Sequence, residues 1–187
     1  MRIIKLNEQS RANILADLLK RDPNNYSAYE GTVQEIVDDV RARGDEALFE
    51  YTKKFDGAEL SADNIRVTQA EIQEALSQVD PNLLAVMKKS MKNIREYHEK
   101  QKQYSWFDSK PNGTILGQKV TALSSVGVYV PGGKAAYPSS VLMNIIPAEV
   151  AGVEKIVMVT PPGKDGRVNP VTLIAAHLAG ATEVYKV

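Results

Sequence analysis

Tyr129, Pro131, Gly132 and Gly133 form the stretch of this sequence with the clearest potential for binding chemistry. They leave an apolar run at residues 126–130 that is typical of a strand, and a helix start follows them. The carboxyl end of a parallel strand faces the crevice in which open α/β sheets bind ligands. Glycines let the backbone approach a ligand closely, and a helix N-terminus favours anions. The Tyr129 ring can stack on a flat ring or donate a hydrogen bond from its hydroxyl.

A purely structural interpretation fits the same residues. In that interpretation Pro-Gly-Gly is a strand-to-helix turn and Tyr129 is a core aromatic residue. The spacing is not the G-x-G-x-x-G fingerprint of dinucleotide-binding proteins. Residue spacing alone therefore leaves both interpretations open.

The remaining side chains with catalytic potential are isolated from one another in the sequence. His98 lies on an apolar helical stripe and His177 lies in an Ala-rich helix, so packed, hydrogen-bonded roles are favoured for both. No H-x-x-x-H or H-E-x-x-H pair supplies zinc ligands. Ser139 and Ser140 do not occupy a G-x-S-x-G elbow and are interpreted as helix caps. The residue patterns therefore assign no catalytic residue and no metal ligand.

The composition narrows the class of protein. The 187 residues carry 23 Lys+Arg and 23 Asp+Glu, a balance that argues against a nucleic-acid partner. No cysteine is present, which excludes a disulfide framework and thiolate chemistry within these residues. The N-terminus does not resemble a secretory signal, and no apolar run approaches the roughly 20 residues needed to cross a bilayer. We expect a cytoplasmic protein with no membrane partner.

The first 103 residues are predicted to be mainly helical. Capping boxes at Thr32-Val-Gln-Glu35 and Thr68-Gln-Ala-Glu71 each predict a helix start. Asp80-Pro81 predicts the start of the longest helix, which should end near Gln103. Other helices are expected over residues 11–20 and around 47–55, and residues 65–67 could form a short strand.

After residue 103 the pattern changes to strands alternating with helices. Asn112-Gly113 predicts a turn, and strands are expected over residues 115–123, 126–130, 155–159 and 183–187. The continuous apolar run at 155–159 is typical of a parallel strand buried on both faces. Helices are expected from Ser139 or Ser140 to Gly152, kinked at Pro147, and from Pro170 to Gly180.

These elements predict an α/β fold in two parts. Residues 1–125 should form a mainly helical N-terminal region with a short β element. Residues 126–187 should form an incomplete Rossmann-like βαβαβ parallel sheet, of the type that binds dinucleotides in other proteins. Because the sheet would stop after three strands with an exposed edge, we expect the chain to be the front part of a longer protein.

Residues 126–144, 146–153 and 157–162 closely resemble the histidinol dehydrogenase family, and residues 40–48, 51–57 and 94–101 are similar to it as well. The resemblance implies a zinc metalloenzyme that uses two NAD molecules in succession. It implies oxidation of L-histidinol to the aldehyde and then to L-histidine, in histidine biosynthesis. It also implies a homodimer built on incomplete Rossmann-like domains.

The resemblance assigns one role by position. Tyr129 matches the family tyrosine that contacts NAD, and Pro131, Gly132 and Gly133 match the loop beside it. In the family the zinc ligands, a Glu-His acid–base pair and the substrate residues follow a later Gly-Gly-Ala-Gln segment, which this sequence does not contain. The 187-residue chain alone is therefore expected to be inactive.

Two alternatives remain at this point. The chain could be a non-catalytic binding or assembly module with the same fold. It could also belong to a dehydrogenase of another polar alcohol, since relatives of the family oxidise other alcohols and no substrate-reading residue is present.

Overall fold

A computed structural model describes residues 5, 7–19, 26–132 and 136–187 of the chain. The chain divides into two compact units, Met1–Ala47 and Leu48–Val187. The division of the chain at residues 125/126 stays a prediction. No helix in the described part of the chain is both long and apolar enough to cross a membrane. The elements, in chain order, are α1 (Glu8–Leu19), α2 (Ser27–Arg43), α3 (Asp45–Phe55), α4 (Gln69–Gln78), α5 (Pro81–Glu99), β1 (Trp106–Ser109), β2 (Ile115–Gln118), β3 (Ser125–Tyr129), α6 (Pro138–Val150), β4 (Lys155–Thr160), α7 (Pro170–Ala179) and β5 (Glu183–Lys186).

The first unit contains α1, α2 and the start of α3. The helix predicted over residues 11–20 is confirmed as α1, with Lys20 outside the described residues. The capping box predicted at Thr32 is wrong, because α2 begins at Ser27 and Thr32 lies within it. At the other end, Gly44 has a φ of 63° and its N–H donates to the Val40 carbonyl, which ends α2 as a glycine commonly does.

The second unit is built on a parallel sheet of three strands in the order β3-β4-β5. Neighbouring strands pair in register, with Val126 opposite Ile156 and Met158 opposite Val184. The sequence predicted an exposed edge for this sheet, but the outer edge of β5 is paired in the structure. Val67 N–H donates to Val184 O and Lys186 N–H donates to Ile65 O, each at 2.9 Å, so the segment predicted as a short strand pairs with this edge.

One face of the sheet carries the core. Ile156, Met158 and Thr160 alternate along β4 and are almost fully buried, because α6 and α7 pack side by side over them. Helices α5 and α4 pack in turn on α6 and α7. Val157 and Val159 point to the opposite face and are only half-buried. The prediction that β4 is buried on both faces is therefore wrong for this chain.

Three helix starts are stabilised as the sequence predicts. In the capping box of α4, Thr68 Oγ1 accepts from Glu71 N–H while Glu71 Oε2 accepts from Thr68 N–H. Asp80 caps α5 and Asn169 caps α7, each accepting two backbone N–H groups ahead of a first-turn proline. Helix α5 ends at Glu99, four residues before the predicted Gln103. Gly180, with a φ of 98°, ends α7 as predicted.

The start of α6 differs from its prediction. The helix begins at Pro138, with Tyr137 at the N-cap position, so Ser139 and Ser140 lie inside its first turn and do not cap it. Among the described residues no side chain caps this helix. Pro147 lies within α6, and its neighbours Ile145, Ile146 and Val150 are buried. The kink expected at Pro147 stays a prediction.

The β1–β2 hairpin contains a strand that the sequence did not predict. Strand β1 pairs antiparallel with β2 around the predicted Asn112-Gly113 turn, and β2 is shorter than the expected 115–123. All residues of both strands are exposed. A Cβ atom added at Gly117 would lie 2.4 Å from Trp106 O and 2.5 Å from Phe107 Cδ1. Glycine is therefore required where the Phe107 ring crosses the partner strand.

A buried ion pair connects α4 to β5. Lys186 is 4% exposed, and its Nζ donates to Glu71 Oε1 across 115 positions of sequence. Burial raises the pKa of Glu71, but hydrogen bonds from Lys186 and Thr68 outweigh burial and hold this pKa below its ordinary 4.5. Glu71 thus caps α4 and neutralises a buried charge at the end of the central sheet.

We expect Glu71→Gln to lower the free energy of unfolding by about 3 kcal/mol, because it leaves the buried Lys186 ammonium without a counter-charge. Urea unfolding followed by circular dichroism at pH 7 measures this. Because the folded pKa of Glu71 lies below 4.5, its stabilisation is complete above pH 4.5 and is lost as the pH falls further. The difference between the two proteins should therefore shrink in acid.

The matched control is Glu74→Gln, one turn later on α4. Glu74 pairs with Arg167 at the surface, where both side chains are about half exposed. Such pairs contribute at most about 1 kcal/mol. Equal losses for the two variants at pH 7 would contradict the assigned role of Glu71.

We expect Gly117→Ala to open the hairpin locally at a cost of about 1–3 kcal/mol, because its Cβ would overlap the Trp106 carbonyl and the Phe107 ring. Trp106 is the sole tryptophan, so its emission spectrum reports on the hairpin. Gly31→Ala, where an added Cβ meets nothing within 4 Å, is the control. Unchanged Trp106 emission in Gly117→Ala would show that the hairpin tolerates the methyl group.

Candidate functional site

Tyr129 ends β3 at the carboxyl edge of the sheet. Its register partner is Val159 on β4, and Val159 is in turn opposite Tyr185 on β5. The alternation along β3 directs Tyr129 away from the face covered by α6 and α7, and 61% of the residue is exposed. Tyr129 is therefore not a core aromatic residue, and both its ring and its hydroxyl are accessible.

The turn after Tyr129 lies against the loop that leaves β4. Val130 N–H donates to Val159 O at 3.0 Å, so pairing of the two strands continues one residue beyond Tyr129. A Cβ added at Gly132 would lie 3.2 Å from Pro161 O, which is tighter than ordinary packing. This loop contact accounts for glycine at 132 without a ligand. Pro131 is exposed, and Gly133 lies outside the described residues.

A cavity of about 380 Å³ opens beside this turn, at the same carboxyl edge of the sheet. Its floor is apolar and includes Val168 and Leu173, while its rim is charged. Its polar walls come from three segments. Helix α4 contributes Glu71 and Glu74, the end of β4 contributes Thr160, and the residues just before α7 contribute Arg167 and Asn169. The cavity therefore lies where open parallel sheets place their ligands.

Ion pairs hold the charged rim in place. Arg167 Nη1 donates to Glu74 Oε1, and this hydrogen bond with its negative charge raises the pKa of Arg167. The loop that carries Arg167 is closed by Gly163 N–H donating to Arg167 O at 2.8 Å. Together with the Glu71–Lys186 pair, these bonds attach α4 to the loop between β4 and α7 and to the end of β5. Glu71, Glu74 and Arg167 in this wall are therefore each held by an ion pair.

Two helix N-termini differ in what they offer a ligand at this edge. The Asn169 side chain accepts from the N–H groups of Val171 and Thr172, so the first donors of α7 are occupied. Helix α6, which follows the Tyr129 turn, has no side-chain cap among the described residues. Unpaired N–H groups at a helix start attract anions. Of the two helices, α6 is the one suited to an anionic group.

The other sequence candidates lie away from this edge. His98 is half-buried at the end of α5, with Nδ1 2.6 Å from Gln101 Oε1, which agrees with the packed, hydrogen-bonded role expected for it. His177 is exposed, so the packed role expected for it is wrong. Within the described residues, no group of three or more His, Cys, Asp or Glu side chains could hold a metal ion.

The residue patterns in the sequence did not predict which side chains line the cavity. Thr160, Arg167 and Glu74 were not selected as candidates, because none of them belongs to a motif. One signal was available: the Thr160-Pro-Pro-Gly163 turn follows β4 as Pro131-Gly-Gly133 follows β3, and parallel strands bring both turns to the same edge. Helix α4 could not be placed there from sequence, since it lies far from both turns in the chain.

Comparisons with known proteins agree with this architecture. A family model described as histidinol dehydrogenase matches residues 19–187. The histidinol dehydrogenase of Heliobacterium mobile is 56% identical over 154 residues, and that of Bacillus subtilis is 58% identical over 155 residues. These alignments cover 82% and 83% of this chain.

A solved structure supports the same relationship. The crystal structure of histidinol dehydrogenase from Elizabethkingia anophelis superimposes with a TM-score of 0.79 at 35% identity and covers 84% of this chain. This chain spans 36% of that structure and 36% of the length of the two curated relatives. Since the family model matches nearly the whole sequence and the fold agrees, the chain belongs to the histidinol dehydrogenase family.

Proposed function

We propose that this chain contributes the NAD-binding edge of a histidinol dehydrogenase, an enzyme that oxidises L-histidinol to L-histidine through the aldehyde. The observation that carries the proposal is the position of Tyr129. Tyr129 ends β3 with an accessible ring, next to Pro131 and Gly132 and ahead of α6, whose start no described side chain caps. The relatives of this chain are named histidinol dehydrogenases.

The residues of this edge fit a dinucleotide. A flat ring can stack on the exposed Tyr129 side chain or accept a hydrogen bond from its hydroxyl. The start of α6, which no side chain of the described residues caps, suits a pyrophosphate, and Pro131 and Gly132 follow Tyr129 directly in the chain. When bound, NAD supplies the hydride acceptor, and the protein supplies position and electrostatics.

Zinc does not fit the described part of this chain. A catalytic zinc site needs three protein ligands, and no suitable group of side chains is present among the described residues. We place the zinc ligands, the acid–base pair and the L-histidinol contacts in the part of the family fold that this chain does not span. Homodimerisation and a cytoplasmic location are part of the same proposal.

A second candidate is a non-catalytic binding or assembly module. The observation that favours it is that the described residues contain no metal-binding group, in a chain that spans 36% of the length of the relatives. Both candidates predict an inactive isolated chain, but only the first predicts that Tyr129 contacts NAD. A dehydrogenase of another polar alcohol would share the NAD contact and differ in substrate.

We expect Tyr129→Ala to weaken NAD binding to the chain about 5- to 150-fold, since loss of a ring that stacks on a base costs about 1–3 kcal/mol. Isothermal titration with NAD measures the dissociation constant. Tyr129→Phe separates the two contacts: unchanged affinity indicates stacking, and a loss equal to that of Tyr129→Ala indicates the hydroxyl. Tyr97→Ala, on α5 and also 61% exposed, is the control. Equal affinity of Tyr129→Ala and the parent chain would reject the assigned contact.

We expect the purified 187-residue chain to show no histidinol-dependent reduction of NAD, with or without added zinc, because it lacks a metal-binding group among its described residues. Absorbance at the NADH band measures turnover, and the full-length Bacillus subtilis relative is the positive control. Zinc-dependent turnover by material of verified mass would show that this chain carries a catalytic set of its own.

A further inference from the structure

The end of β4 lacks the acidic residue that dinucleotide-binding sheets place there. In such sheets the glycine turn after the first strand holds the pyrophosphate, and an Asp or Glu about 20 residues further on accepts a hydrogen bond from the 2′-hydroxyl of the adenosine ribose. Here β3 is the first strand of the parallel sheet and β4 is the second. Strand β4 ends at Thr160, which is 2% exposed and is followed by Pro161 and Pro162. None of these three residues supplies a carboxylate.

Helix α4 brings carboxylates to this place from outside the sheet. The cavity beside the Gly132 turn is lined by Thr160 and Pro161 at the end of β4 and by Glu71 and Glu74 on α4. Its volume of about 380 Å³ lies within the range of small-molecule sites. The tertiary structure thus replaces an acid on the strand with acids on a helix.

The composition and position of the cavity suit the adenosine half of a dinucleotide. Val168 and Leu173 provide an apolar surface for a base, and polar side chains surround them. The cavity lies on the β4 side of Gly132, whereas Tyr129 ends β3 and faces away from α6 and α7. A dinucleotide with its pyrophosphate at the start of α6 would therefore place one half in the cavity and the other half beside Tyr129, which stays accessible.

Glu74 is the carboxylate of α4 that can accept a further hydrogen bond. Both oxygens of Glu71 are occupied, because Lys186 donates to Oε1 and Thr68 donates to Oε2. Arg167 donates to Oε1 of Glu74, and no hydrogen bond within the described part of the chain involves Oε2 of Glu74. This oxygen is a charged acceptor at the edge of the cavity, as a ribose hydroxyl requires.

The charges around the cavity distinguish a hydroxyl from a phosphate. Among the described residues that line it, Arg167 is the only cation, while Glu71, Glu74 and Asp165 are anions. Folds that use NADP bind its 2′-phosphate with an arginine near this point. Here Glu74 holds the guanidinium in an ion pair, so a phosphate would have to displace a carboxylate and lie among like charges. The cavity therefore favours a 2′-hydroxyl over a 2′-phosphate.

We propose that Glu74 binds the ribose 2′-hydroxyl of NAD and that its ion pair with Arg167 excludes NADP. Helix α4 thereby supplies the nucleotide specificity that the end of β4 lacks. The inference rests on the proposed function, because it assigns a contact to the adenosine half of the same cofactor. It is tested at residues that Tyr129 does not contact.

Isothermal titration of the 187-residue chain with NAD and with NADP tests the proposal. The parent chain should bind NAD about tenfold or more tightly than NADP, because like charges repel the phosphate. Glu74→Gln should weaken NAD binding about five- to tenfold, since an amide oxygen is a weaker acceptor than a carboxylate. It should also strengthen NADP binding about tenfold, since the released Arg167 guanidinium can bind the phosphate.

A second substitution and a matched control make the result specific. In Glu74→Gln combined with Arg167→Gln, the gain in NADP affinity should disappear, because the guanidinium that binds the phosphate is absent. The control is Glu149→Gln. Glu149 pairs with Arg95 between α6 and α5, both side chains are about 40% exposed, and neither lines the cavity. This variant should bind both dinucleotides as the parent chain does.

Each outcome separates this inference from the proposed function. Equal affinities of the parent chain for NAD and NADP, an unchanged affinity ratio in Glu74→Gln, or a gain in NADP affinity that survives in the double variant overturns the inference. If Tyr129→Ala still weakens NAD binding in that case, the proposed function stands without it. If the ratio shifts as expected while Tyr129→Ala binds NAD like the parent chain, the Tyr129 contact is wrong and the role of Glu74 stands. A parent chain that binds neither dinucleotide overturns both.

Discussion

The buried ammonium group of Lys186 is the constraint on which the carboxyl edge of the sheet depends. A charge with so little exposure requires a counter-charge within hydrogen-bond distance, and Glu71 supplies it. The same carboxylate is held by Thr68 at the start of α4, so the helix cannot shift without exposing or isolating the charge. One turn later Glu74 binds Arg167 in the loop after β4. Helix α4 is thereby attached to the end of β5 and to the loop after β4, and the residues that make these attachments line the cavity.

One-sided packing of the sheet explains why Tyr129 is accessible. Val128 and Val130 turn towards α6 and α7, so the residue between them turns away. A shift of one residue in the β3–β4 register would bury the tyrosine and expose the valines. The free-energy cost of exposing the valines keeps the register in place. The same alternation leaves the half-buried Val157 and Val159 on the face of the sheet that α6 and α7 do not cover.

Local patterns predicted helix starts only where local bonds decide them. Thr68 and Asn169 cap their helices through hydrogen bonds two or three residues along the chain, and both were recognised in the sequence. Thr32 and Ser139 were as suggestive but do not act as caps, because their helices begin earlier, at Ser27 and Pro138. A capping residue shows where a helix can begin, and the preceding residues decide whether it begins sooner.

The sequence by itself determined the family, the order of strands and helices around the parallel sheet, and the position of Tyr129 at a strand end beside a glycine turn. These features follow from residue types and from periods of two or 3.6 residues, which act over short distances. Only the tertiary structure decided which face of the sheet is covered, why Gly132 must lie against Pro161, and which acids neutralise Lys186 and Arg167. The partners in these ion pairs lie 115 and 93 positions apart. The path of the chain brings them together, and no local pattern encodes that path.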